Sequence, residues 1–156
     1  MATPVTADSH GTILGHTKGL FILFFAEMWE RMSFYGMRAL LVMYMMKHLL
    51  ADPVKMAEVM GMNTLKQILE IGFGPLEIQP FASQIYGLYI GLVYLSPFFG
   101  GILADRVWGK KKSVYIGGLL MIIGHFMMGM ENLFLPALFF LIMGNGAFKP
   151  NISTQV

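Results

Sequence analysis

At 156 residues, with a net charge of +2, 56% apolar and 13% charged residues and a mean hydropathy of +0.62, the chain reads as a membrane protein rather than a single soluble domain. Its one short Lys/Arg cluster, near residue 110, leaves no electrostatic footprint for nucleic acid. The absence of cysteine removes disulfides and thiolate metal sites.

The first 17 residues are polar and small, and the apolar run behind them is too long and too charged for a secretory signal peptide, so no cleavage is expected. Residues 19–46 form the first predicted span, which at ~1.5 Å per residue gives roughly 42 Å of helix against a hydrocarbon core of ~30 Å. The following connection mixes Lys47, Lys55 and Lys66 with Asp52, Glu58, Glu70 and Glu77; within it KMAEVMGMNTLKQILEI, residues 55–71, fits either a short amphipathic helix on the outer surface or a solvated loop. Further spans are predicted at 81–104, 113–130 and 133–156. No polar flank follows the last of them, so a partial chain is expected, and no internal repeat is long enough to identify. The expected organisation is a tail over 1–17 and a transmembrane bundle over 18–156.

Positive charge sets the expected orientation. The hairpin DRVWGKKK carries Arg106, Lys110, Lys111 and Lys112 against the single acid Asp105, whereas the connection after span one mixes both signs. The hairpin and the N-terminus, with His16 and Lys18, are therefore expected in the cytoplasm.

Span one holds EMWERMSFYGMR, residues 27–38, inside its apolar run. On a helix turning ~100° per residue, Glu27, Glu30, Arg31, Phe34, Tyr35 and Arg38 share one face roughly 140° wide. A charge near the bilayer centre costs on the order of 2.5–3.5 kcal/mol, so four unpaired charges would cost about 10 kcal/mol. They must face a partner or water. Glu27 and Arg31, four residues apart, can neutralise each other as a buried pair, which leaves Glu30 and Arg38 unexplained. The functional reading is a polar cavity in which carboxylates exchange protons and guanidinium groups grip an anion, since the arginine fork matches a carboxylate.

HTKGLFILFFAEMWERMSFYGMRALL resembles the start of the proton-dependent oligopeptide transporter family, a branch of the major facilitator superfamily. That family carries E-x-x-E-R-F-x-Y-Y-G on its first helix; Glu27, Glu30, Arg31, Tyr35 and Gly36 match it, while Met32 and Phe34 depart from it. The resemblance extends over nearly the whole chain. It implies an all-α membrane protein formed by the first four transmembrane helices of a six-helix N-terminal bundle.

In the hairpin GGILADRVWGKKKS, Asp105 can accept from Arg106 or from backbone N–H groups at the start of span three. Lys110, Lys111 and Lys112 suit an anionic inner leaflet. The segment resembles the hairpin between the second and third helices of the superfamily, in the oligopeptide-transporter form with an extra residue before Gly109; by that resemblance Asp105, Arg106 and Gly109 are a conformational latch. Gly100, Gly101, Gly117 and Gly118 are expected to allow close helix approach.

Near the end, GNGAFKPNIST places Lys149 in the inner half of the membrane, at a depth that overlaps Glu27. It is either a snorkelling lysine or a partner for Glu27 or Glu30. Gly144, Gly146, Lys149, Pro150, Asn151 and Ser153 resemble the family's fourth-helix motif G-x-G-x-x-K-P-N-x-S, whose lysine pairs with the first-helix signature and helps bind the peptide carboxylate. Pro150 loosens the helix locally. Tyr94 occupies the position of the family's second-helix binding tyrosine; read without the family, it is packing. Gly87 stands where mammalian members have a histidine, which assigns proton coupling to Glu27 and Glu30 as in bacterial members. His125 is read as an interhelical packing or hydrogen-bonding residue.

The resemblance thus implies proton-coupled symport of di- and tripeptides by alternating access and no enzymatic activity, cofactor or metal. Glu27, Glu30, Arg31 and Lys149 would couple protons; Arg31, Phe34, Tyr35, Arg38, Tyr94 and Lys149 would bind substrate. The expected partners are peptides, protons, the lipid bilayer and a C-terminal bundle outside this chain, in a bacterial inner membrane. Transport of nitrate or another small anion on the same scaffold, and a non-transporting four-span scaffold, are the alternatives.

Overall fold

In the computed structural model, residues 12–13 and 16–152 are described. The tail expected over 1–17 lies largely outside them, as do Ser153 and the last four residues of the fourth span. Thr12–Ile13 and His16–Thr17 pair as a two-residue antiparallel ladder. The chain then runs through helices α1 (Lys18–Tyr44), α2 (Pro53–Glu58), α3 (Met62–Phe73), α4 (Ile78–Leu103), α5 (Lys110–Met128) and α6 (Phe134–Ile152). The long ones, α1, α4, α5 and α6, coincide in position with the four predicted spans. Ile78–Val107 and Glu131–Ile152 are long and apolar enough to cross a membrane among the described residues.

Boundaries differ from the expected ones for local reasons. α4 starts three residues early because Pro80, which reads as a breaker, sits in the first turn, where its missing N–H costs nothing. α5 starts at Lys110, so the basic cluster forms its first turn rather than a loop. A π-helical turn, Met45–Leu49, prolongs α1, and another, Ala104–Trp108, prolongs α4 up to Gly109.

The connection after α1 is helical, in two pieces rather than one. Asp52 caps α2 by accepting from the Val54 amide at 2.9 Å, with Pro53 in the first turn. Gly61, at φ +82°, breaks the path before α3. The Met60 amide donates to the Asn132 carbonyl at 2.9 Å, and Val59, Met62 and Leu69 are buried. They close one end of the bundle over Met45, Leu49, Phe81, Ile85, Phe134 and Leu138. Beyond that end, Ile22, Phe24, Trp29, Phe99, Tyr115 and Phe126 are exposed, as lipid-facing side chains are.

The tightest packing is around α6. A Cβ at Gly100 would land on the Gly146 carbonyl oxygen, and one at Gly146 would lie 2.8 Å from Ser96 Cβ. On the other side, a Cβ at Gly117 would lie 2.6 Å from the Phe148 amide nitrogen, and one at Gly144 would lie 2.9 Å from the Gly117 carbonyl oxygen. Of the four glycines expected at close contacts, Gly100 and Gly117 are there. Gly101 and Gly118 are not: a Cβ on the first would make an ordinary 3.8 Å contact with Pro150, and one on the second would meet nothing within 4 Å. Two adjacent glycines on one helix cannot both point at α6, since neighbours diverge by ~100°.

Both interior prolines lie near this contact. Pro97 leaves the Val93 carbonyl without its helical donor, and Ser96 Oγ donates to it at 3.2 Å. Pro150 does the same to the Gly146 carbonyl, which lies against Gly100. Gly100→Ala is expected to lower stability by about 1–3 kcal/mol through overpacking, whereas Gly118→Ala stays within about 0.5 kcal/mol. Thermal unfolding of the two variants in detergent measures the difference.

Candidate functional site

The polar face of α1 divides when α6 packs beside it. Glu30 is half-buried and Phe34 is buried at 7% exposure, both turned toward the neighbouring helices. Arg31 and Tyr35 lie on the open margin. An arc ~140° wide is broader than one neighbouring helix can cover, so its edges stay exposed. On that margin the Arg31 guanidinium donates to Glu27 Oε1 through Nη2 at 2.6 Å and Nε at 3.2 Å. This is the four-residue pair that the sequence suggested, and it is half-open rather than buried, with side-chain exposures of 54% and 33%.

From α6, Asn145 and Lys149 reach the same place, one turn apart. The Asn145 amide nitrogen donates to Glu30 Oε1 at 3.0 Å. The Lys149 ammonium lies over the Phe34 ring, 5.3 Å from its centroid, and 5.9 Å from that of Tyr94, so each ring presents its negative face to the cation. The charge of Lys149 also acts on Glu30. Lys149 was expected as a partner for Glu27 or Glu30. It belongs to the Glu30 group, while Glu27 is held by Arg31. Phe34, where the family motif has tyrosine, serves here through its ring face.

Arg38 donates to the Tyr86 hydroxyl at 2.6 Å and lies 5.8 Å from that ring's centroid. Neither Tyr86 nor Asn145 was singled out from the sequence. Tyr86 stands next to Gly87 and two turns before Tyr94, and that spacing was the signal available. Asn145, a polar side chain between two glycines in an apolar span, was visible as a cost needing a partner. Ser33 Oγ and His125 Nε2 lie 3.1 Å apart, the interhelical hydrogen bond expected of His125.

The hairpin residues behave otherwise than expected. Asp105 and Arg106 form no ion pair with each other among the described residues, and both are exposed. Consecutive helical side chains diverge, so the two cannot easily meet. Nor does Asp105 accept from the start of α5 among the described residues: the Gly109 amide donates to Ala104 at 2.8 Å and the Ser113 amide to Gly109 at 3.1 Å. Gly109, at φ +76°, occupies a conformation that favours glycine and turns the chain into α5.

No family model matches the chain. It is 39% identical over 149 residues to a di-/tripeptide transporter of Lactococcus lactis, covering 93% of this chain and 26% of that protein. To an uncharacterized transporter of Bacillus subtilis it is 37% identical, covering 91% of this chain and 25% of the relative. To a peptide transporter of Yersinia enterocolitica it is 33% identical, covering 100% and 27%. The chain therefore spans about a quarter of the length of the curated relatives it matches.

Because the Phe34 ring is buried beneath Lys149, Phe34→Ala is expected to destabilise by about 3–5 kcal/mol, and Phe34→Leu by less. Thermal unfolding of both variants checks the order.

Proposed function

We propose that the chain belongs to the proton-dependent oligopeptide transporter family and forms the proton-coupling and carboxylate-binding part of a symporter for di- and tripeptides. The observation that carries this reading is the half-buried Glu30, held between α1 and α6 beside a lysine.

Two acid and base groupings divide the work. Glu27 holds Arg31, and Glu30 lies under the influence of Lys149. A proton on either carboxyl removes the negative charge that competes for its cation. Arg31 and Lys149 then attract the carboxylate end of a peptide, Arg31 through its fork and Lys149 as a point charge backed by Phe34 and Tyr94. Tyr35 extends the same open margin, and Arg38 is half-buried beside it against Tyr86. Loss of proton and peptide on the other side restores the internal partners, so each occupied state favours a different conformation. A second bundle, supplied by the remainder of a longer protein, would hold the peptide's amino end, and the two halves would rock about the site. In this scheme Asp105, Arg106 and Gly109 act on the cytoplasmic side, in a bacterial inner membrane, as part of the moving hairpin.

In proteoliposomes holding the full-length transporter, Glu30→Gln is expected to abolish dipeptide accumulation driven by a proton gradient while retaining some counterflow. Accumulation that survives the substitution would remove Glu30 from coupling. Lys149→Ala is expected to weaken binding about tenfold, the size of one charge-assisted hydrogen bond, and to do so most for peptides with a free C-terminus. Equal loss for amidated peptides would count against the carboxylate contact.

A further inference from the structure

Asn145 is not among the residues that make the close helix contacts of α6. Its neighbours Gly144 and Gly146 make the close contacts to α5 and α4, and the helix turns ~100° per residue, so Asn145 is directed between those contacts, toward α1. There it is 4% exposed, and its Oδ1 is buried with no hydrogen-bond partner among the described residues, while its amide nitrogen donates to Glu30. Half of a buried carboxamide is thus satisfied and half is not, a costly arrangement that a small apolar residue would avoid. The space shared by Glu30, Tyr89, His125 and Asn145 is about 20 Å³, too small for anything beyond a single water.

The chemistry of the two groups accounts for the unused atom. An ionised carboxylate only accepts hydrogen bonds, whereas a protonated carboxyl also donates one. A carboxamide offers both functions on atoms of similar size, and rotation of its terminal bond exchanges them. We propose that Asn145 is a positioning residue for the Glu30 proton, donating to the carboxylate through its amide nitrogen and accepting from the carboxyl O–H through Oδ1 after the amide turns over. One side chain then holds Glu30 in place in both protonation states. The carboxyl need not swing away when Lys149 is drawn to a substrate. This inference rests on the reading of Glu30 as a proton site.

The test is pH-induced infrared difference spectroscopy on the full-length transporter in lipid. The expected spectrum contains a carboxyl band lost in Glu30→Gln. With it comes a side-chain amide band that shifts on ¹³C-asparagine labelling and is lost in Asn145→Leu. A Glu30 carboxyl band without a label-sensitive amide band would overturn the role of Asn145. Absence of any Glu30 band would instead overturn the proton site itself, and the role of Asn145 with it. In transport, Asn145→Leu is expected to lower the ratio of gradient-driven uptake to counterflow about tenfold, the value of a hydrogen bond to a charged group. An unchanged ratio in a variant that still performs counterflow would also overturn the proposal. Should Asn145→Leu not fold, Asn145→Gln, whose amide does not carry the asparagine label, assigns the band in its place.

Discussion

The polar contacts of Glu30 depend on how closely α6 approaches its neighbours. Gly100 meets Gly146 and Gly117 meets Gly144, which brings backbones together where side chains would hold them apart. Lipid offers no hydrophobic drive for helices to associate, so such contacts must come from dense packing and from weak hydrogen bonds. The Gly146 carbonyl shows both: Pro150 deprives it of a helical donor, and it lies against the hydrogen-bearing Cα of Gly100. With α4 and α5 set on two sides of α6, Asn145 and Lys149 are aimed at the remaining side, where α1 presents Glu30 and Phe34.

The charged groups avoid the cost of burial in two different ways. Glu27 and Arg31 stay on an open margin and neutralise each other in a pair that side-chain freedom and solvent keep weak. Glu30 goes further in and relies on a neutral amide and a nearby ammonium. Lys149 has its charge spread over two aromatic faces, which support a cation without competing for its protons as an acid would. Aromatic support also serves Arg38, through both the ring and the hydroxyl of Tyr86.

At the far end of the bundle, α2 and α3 act as a cap. Val59 between them and Met62 and Leu69 of α3 complete a core that α1, α4 and α6 leave open, and Lys55 reaches His48 and Glu131 from the same connection. His48 Nε2 lies 2.7 Å from Glu131 Oε1, joining the end of α1 to the turn before α6. The polar site thus lies in a bundle braced at one end and joined along its length by glycine contacts.

The sequence by itself determined the membrane class, the long helices to within a few residues, and the charged face of α1, because these follow from hydropathy and from a repeat of ~3.6 residues that needs no neighbour to define it. It also carried Glu27, Glu30 and Arg31 in a stretch that resembles one family motif and Lys149 in a stretch that resembles another. Tertiary structure alone decided which members of that face turn inward and which remain open, that the Asn145 amide donates to Glu30, that Tyr86 holds Arg38, and that Gly100 and Gly117, not Gly101 and Gly118, make the close contacts. Each of these depends on the rotation of one helix about its axis relative to another. That angle is set by packing across the whole bundle, and no local run of residues encodes it.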